Sequence, residues 1–128
     1  MRSDRAAGAL LGLAVGDAVG TTVEFHPRGT FEPLTDMVGG GPFGLRAGEW
    51  TDDTSMALAL ADSLIKRGVA DEADMARRFL SWWRRGEYSH NGLCFDIGST
   101  TAAALARFER SGNPIAGEMR GDSAGIVS

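Results

Sequence analysis

The sequence predicts an all-α fold. Apolar residues recur at helical spacing in successive segments, and no run of alternating β-branched residues appears anywhere. The chain also carries 18 glycines and 18 alanines in 128 residues, small side chains that let helix backbones approach closely. Large apolar residues are thin by comparison, with 11 Leu, 4 Ile, 6 Val and 6 Phe. A chain this short supports one compact domain or a part of one, but not two domains. The glycines have no three-residue period, which excludes collagen, and the single cysteine, Cys94, excludes a disulfide scaffold.

Asp4 is placed to cap a first helix running to about Gly20. Gly8, Gly12, Gly16 and Gly20 fall on one slowly drifting stripe of that helix. Each glycine costs about 1 kcal/mol of helix stability relative to alanine, so four of them call for close approach by neighbouring helices. Leu10, Leu11, Leu13, Val15 and Ala18 surround the stripe, and the expectation is a buried central helix in which Asp17 stands out. From His26 to Gly48 the pattern fails: Pro27, Pro33 and Pro42 combine with six glycines in a long loop.

A second helix starts at Thr51-Asp52-Asp53-Thr54, carries Met56, Leu60 and Leu64 at i, i+4 and i+8, and ends at Gly68. The third opens at Asp71 or Glu72. It sets Ala76, Phe79, Leu80 and Trp83 on an inner face, with Arg77, Arg78, Arg84 and Arg85 solvated opposite. After the loop Gly86 to Gly98, a fourth helix runs from about Ser99 to Ser111, stopped by Gly112 and Pro114.

Thirteen basic against 17 acidic residues leave a net charge of −4, which argues against a nucleic-acid surface built on phosphate neutralisation. Arg2 and Arg5 precede the apolar run Ala6 to Val15, but Asp4 interrupts the basic stretch. That run is too short to span a bilayer. The expected location is cytoplasmic, without a membrane partner.

Thr51, Asp52 and Asp53 place three hard oxygen donors on consecutive residues at a helix start, the ligand type that Mg²⁺ or Ca²⁺ takes. Helix capping explains the same residues, and two carboxylates do not fill a cation site without ligands from elsewhere. Glu24, between Val23 and Phe25 at the exit of the first helix, is a candidate acid or base, or else a surface glutamate. Asp96 lies between Phe95 and Ile97 just before the fourth helix. There the first turn offers N–H groups and the hydroxyls of Ser99, Thr100 and Thr101, suited to phosphate or sugar oxygens; capping by Asp96 or Ser99 is the competing explanation. His26 reads as a loop histidine, Trp82 and Tyr88 beside the arginines read as packing, and Cys94 has no Cys or His at ligand spacing. Singly, each feature has a structural explanation. Together, Glu24, Asp52, Asp53 and Asp96 all lie at helix ends beside glycine-rich turns, and helix ends gather at one end of a bundle.

These residues resemble motifs of the ADP-ribosylglycohydrolase family, in the family's order. Gly8 to Gly20 followed by Glu24-Phe25 is similar to its opening helix, and Trp50-Thr51-Asp52-Asp53-Thr54 with Met56-Ala57 to its first metal motif. Phe95-Asp96-Ile97-Gly98 with Thr100-Thr101 makes a third match. The resemblance implies an orthogonal multi-helix bundle with a two-magnesium centre, Mn²⁺ being the alternative ion. It implies hydrolysis of an ADP-ribosyl glycosidic bond to a protein side chain or a small acceptor. Carried over by position, Thr51, Asp52 and Asp53 become first-half metal ligands, and Glu24 the carboxylate near the reaction centre. Asp96 becomes a substrate-side acid, with Ser99, Thr100 and Thr101 near the substrate.

After Asp122-Ser123-Ala124-Gly125 the family pattern continues with an Asn-Gly and a Met-Arg pair, whereas this sequence reads Ile126-Val127-Ser128. The Asp-x-Asp-Thr segment that completes the family's metal centre is not among the 128 residues. The expectation is therefore a truncated, N-terminal portion of a single such domain, with weak Mg²⁺ binding, little activity and self-association through uncovered apolar faces. The rival expectations are a non-catalytic fragment, an ADP-ribose-binding piece that needs a partner chain, and a metal-free glycosidase using Glu24 and Asp96, whose activity would survive chelation.

Overall fold

A computed structural model of the chain describes residues 2–115; the segment from Asp122 to Ser128, where the sequence departs from the family pattern, lies outside them. Four α-helices follow in order: α1 (Arg2–Gly20), α2 (Asp52–Arg67), α3 (Glu72–Arg85) and α4 (Ser99–Ser111), with a 3₁₀ turn, Thr21–Val23, after α1. Among the described residues there is no strand, only an isolated bridge between Gly40 and Leu45. The chain forms two compact units, Met1–Thr54 and Ser55–Ser128.

In the first unit α1 begins at Arg2, so Asp4 sits in its first turn and is not its cap. The expected buried central helix is not found. Only Ala18 of α1 is buried, while Leu11 is 65% and Val15 47% exposed. A Cβ placed on Gly8, Gly12, Gly16 or Gly20 would meet nothing within 4 Å. The reason lies in the unit's content, because it holds no second full helix to lay across the stripe. The helix also outruns the apolar stretch read from the sequence. Arg2–Val23 makes 22 helical residues containing an 18-residue stretch of mean hydropathy 1.5, long and apolar enough by length and composition alone to cross a membrane.

The proline- and glycine-rich segment after α1 is folded back on itself. Gly40 N–H donates to Leu45 O at 2.6 Å and Leu45 N–H donates to Gly40 O at 3.1 Å. Thr22 Oγ1 donates to Gly39 O at 3.0 Å. Gly41, at φ +73°, packs so tightly that a Cβ there would lie 2.7 Å from Thr21 O. The loop is thereby fastened to the turn that follows α1.

In the second unit the core joins α2, α3 and α4 through Ala59, Met75, Ala76, Phe79, Ala104, Leu105 and Phe108. The helix ends follow local chemistry. Asp71 caps α3 by accepting from Asp74 N–H at 3.0 Å, and Gly68, Gly86 and Gly112 close α2, α3 and α4 in left-handed conformations. On α3 the expected Ala76 and Phe79 are buried and Leu80 and Trp83 pack half-buried against the core, while burial extends to Met75 and Trp82, Trp82 being 1% exposed. Trp83 is half-buried against the core with the Arg84 guanidinium 4.0 Å above its ring. Arg78 is not solvated either, since its Nε meets Asp74 at 2.7 Å and its Nη1 meets Asp62 at 2.8 Å.

Candidate active site

In the first unit an open cavity of about 410 Å³ is lined by Gly12, Gly16, Asp17, Glu24, Asp52 and Asp53, together with Leu13, Gly20, Thr21 and Thr51. Four of the sequence-derived candidates, Glu24, Thr51, Asp52 and Asp53, thus line one cavity. Three glycines of the α1 stripe, Gly12, Gly16 and Gly20, line it too: without side chains, they leave the cavity roomy where leucines would fill it.

Glu24 follows the 3₁₀ turn, held by Thr21 in two ways. Its N–H donates to Thr21 O at 3.2 Å and its Oε2 accepts from Thr21 Oγ1 at 3.4 Å. Burial holds the Glu24 carboxyl above its ordinary value, with the negative charge of Asp52 next and those of Asp17 and Asp53 adding to it; the Thr21 hydroxyl pulls the other way. Negative charge is therefore concentrated around the cavity, as a site for a cation requires.

Thr51 is buried, Asp52 half-buried and Asp53 exposed at the start of α2. The Thr54 N–H that a capping Thr51 would accept from donates to Asp17 Oδ2 at 3.2 Å instead, and the Thr51 hydroxyl itself donates to Asp17 Oδ1 at 2.6 Å. Asp17 also accepts from the N–H of Thr51 and from the Thr54 hydroxyl. Sequence reasoning singled out Asp17 as an oddity in an apolar helix but gave it no role. A lone acid in such a helix, with a Thr-x-x-Thr pair far along the chain, was the available clue.

Asp96, Ser99, Thr100 and Thr101 belong to the second unit. Asp96 is half-buried in a left-handed backbone conformation, φ +60°, and Ile97 beside it packs on the core. The N-cap position of α4 falls on Gly98, which has no side chain to accept with, and Ser99 lies inside the helix as its first residue. Ser99 and Thr100 are exposed and Thr101 half-buried; consecutive residues step round a helix by about 100°, so the three hydroxyls spread rather than converge.

Among the described residues no three His, Cys, Asp or Glu side chains are close enough to enclose a metal ion. The donors that are present are nevertheless hard oxygens, one hydroxyl and two or three carboxylates, which suit Mg²⁺, an ion that keeps several waters and takes few protein ligands. The donor chemistry fits the cation.

The model of the family described as ADP-ribosylglycohydrolase matches residues 1–126. The chain belongs to the ADP-ribosylglycohydrolase family. It is 62% identical over 109 residues to ADP-ribosylarginine hydrolase Tri1 of Pseudomonas putida, covering 85% of this chain and 29% of that one. Against the hydrolase of the same name from Serratia proteamaculans it is 52% identical, covering 95% and 33%. With ADP-ribosyl-[dinitrogen reductase] glycohydrolase of Rhodospirillum rubrum the identity is 40%, covering 94% and 40%. A solved structure described as an ADP-ribosylglycohydrolase-related protein complex superposes with a TM-score of 0.76 at 48% identity, over 91% of this chain and 37% of that one. The helical fold of the family is therefore present, and the chain spans about a third of the length of these relatives.

Proposed function

We propose that this chain contributes the first half of a site that hydrolyses an ADP-ribosyl glycosidic bond, with an arginine side chain as the acceptor that is released. The observation that carries the reading is the convergence of Glu24, Thr51, Asp52 and Asp53 on one cavity in a member of this family. The choice of arginine is supported by the similarity to two proteins named ADP-ribosylarginine hydrolases.

Thr51, Asp52 and Asp53 are the residues that would hold Mg²⁺, or Mn²⁺ in its place. When bound, the ion supplies positive charge that binds and orients hydroxyl oxygens of the ribose. Glu24, whose carboxyl holds its proton more readily than an exposed glutamate, is the group that would take a proton from water attacking the anomeric carbon. The glycine wall leaves room for the sugar beside these acids.

One observation favours a second reading, binding without turnover: the described residues do not enclose a cation by themselves. Calorimetric titration with ADP-ribose in the presence of Mg²⁺, run beside a hydrolysis assay on ADP-ribosylated arginine, separates the two. Release of ADP-ribose that stops on chelation supports the hydrolase reading. Binding with no release supports the binding piece, release that survives chelation supports the metal-free glycosidase, and absence of both binding and release sinks the proposal.

A further inference from the structure

We infer that Asp17 is a positioning residue that turns the Thr51 hydroxyl into an oxygen donor for the divalent cation. The inference rests on the cation reading given above and concerns a residue to which that reading assigns nothing.

The direction of each hydrogen bond carries the argument. Asp17 Oδ1 accepts from Thr51 Oγ1 at 2.6 Å, and Oδ2 accepts from Thr51 N–H at 2.9 Å, Thr54 Oγ1 at 2.7 Å and Thr54 N–H at 3.2 Å. A carboxylate only accepts, so the hydroxyl hydrogen of Thr51 lies on the line to Asp17. The lone pairs of Thr51 Oγ1 then point away from Asp17, and Thr51 lines the cavity. Thr51 is 3% exposed, which keeps that hydroxyl from turning toward bulk water.

A second feature frees the same oxygen. Thr51 immediately precedes α2, and a threonine at that position ordinarily spends its side-chain oxygen accepting from an amide two or three residues on. Here Asp17, supplied by α1, takes the Thr54 amide instead. The capping task has passed to a residue 37 positions earlier in the chain, and Thr51 is released from it. The carboxylate is itself held from the far side by the Thr54 hydroxyl, so its two oxygens are committed to four donors and it orients a ligand without serving as one.

The test titrates the whole chain with Mn²⁺ alone, by calorimetry, alongside circular dichroism and thermal melting. Asp17→Asn keeps the size of the side chain but offers an amide that donates toward Thr51, and Mn²⁺ affinity is expected to fall about 10- to 100-fold with helical content retained. Thr54→Val leaves the Asp17 charge and the Thr51 hydroxyl in place while removing one hold, and is expected to weaken Mn²⁺ by a smaller factor. Leu105→Ala, in the other unit, should lower the melting temperature and leave Mn²⁺ affinity unchanged, which separates positioning from general stability. Where Asp17→Asn loses its helical signal, Thr54→Val decides the matter. Wild-type affinity in a folded Asp17→Asn, or in Thr54→Val where Asp17→Asn has lost its helix, overturns this inference alone. Absence of Mn²⁺ binding by the wild-type chain at millimolar concentration overturns the cation reading and this inference together.

Discussion

The hydroxyl of Tyr88 donates to Oδ2 of Asp62 at 2.6 Å, tying the loop after α3 to the middle of α2. Arg78 Nη1 reaches the same carboxylate oxygen at 2.8 Å and the Tyr88 hydroxyl at 3.1 Å. Tyr88 needs such anchoring, because its φ of +71° is a left-handed conformation that costs a non-glycine residue roughly 1–2 kcal/mol. Ser55 Oγ adds a bond to Tyr88 O at 3.2 Å. This is the loop that leads on to Asp96.

Tyr88→Phe removes the hydroxyl and leaves Asp62 with one donor fewer. Chemical denaturation is expected to show a loss of about 1–3 kcal/mol, in the range for hydrogen bonds to charged groups. An unchanged midpoint would show that Arg78 and Lys66 satisfy Asp62 without the tyrosine.

Acid should loosen the second unit through the same network. The Tyr88 hydroxyl, with Lys66 and Arg78, holds the Asp62 carboxyl below its ordinary value, and the Ser63 hydroxyl and Arg78 do the same for Asp74. Both groups bind a proton less readily folded than unfolded. Their stabilisation is therefore present above the ordinary aspartate value, about 3.9, and is lost as pH falls through the lower folded-state values. The melting temperature should drop as pH is lowered from about 5 to 3, and Asp74→Asn should flatten that slope; an equally steep acid limb in the variant would contradict the assignment.

Gly86→Ala is expected to be severe. Gly86 has φ +71°, and a Cβ there would collide with the backbone carbonyl of Gly92, which cannot rotate aside as a side chain would. The left-handed conformation alone costs about 1–2 kcal/mol, and the collision adds to it by displacing the loop. A melting temperature equal to that of the wild type would show that the loop gives way freely.

Removing the charge of Glu24 should have opposite effects with and without a cation. Without one, Glu24 is repelled by Asp52, Asp17 and Asp53, so Glu24→Gln should raise the melting temperature at neutral pH. With Mg²⁺ added, the variant should gain less stability than the wild type does, because linkage scales with affinity. A variant that is less stable without the ion, or that gains as much from it, would remove Glu24 from the cation's surroundings.

Much of the architecture was legible because it rests on near neighbours in sequence. The boundaries of α2, α3 and α4 follow from Gly68, Asp71, Gly86 and Gly112, each acting within one helical turn. On α3 the face through Ala76, Phe79, Leu80 and Trp83 was legible, while the burial of Trp82 was not, since two adjacent tryptophans give the periodicity no means of choosing between them. Arg78 looked solvated because two of its three partners, Asp62 and Tyr88, lie 16 and 10 residues away, and only Asp74 is within a helical turn.

By itself the sequence determined that the chain is helical, where three of its helices begin and end, and that Glu24, Thr51, Asp52 and Asp53 are the acids and hydroxyl to watch. Those facts depend on periodicity, capping and motif, which act over a few residues. Only the tertiary structure decided that the α1 glycine stripe lines a cavity and that Asp17 caps a helix from 34 and 37 residues away. A hydrogen bond's direction depends on which groups meet in space, and the sequence of one helix does not say what the next will bring to it.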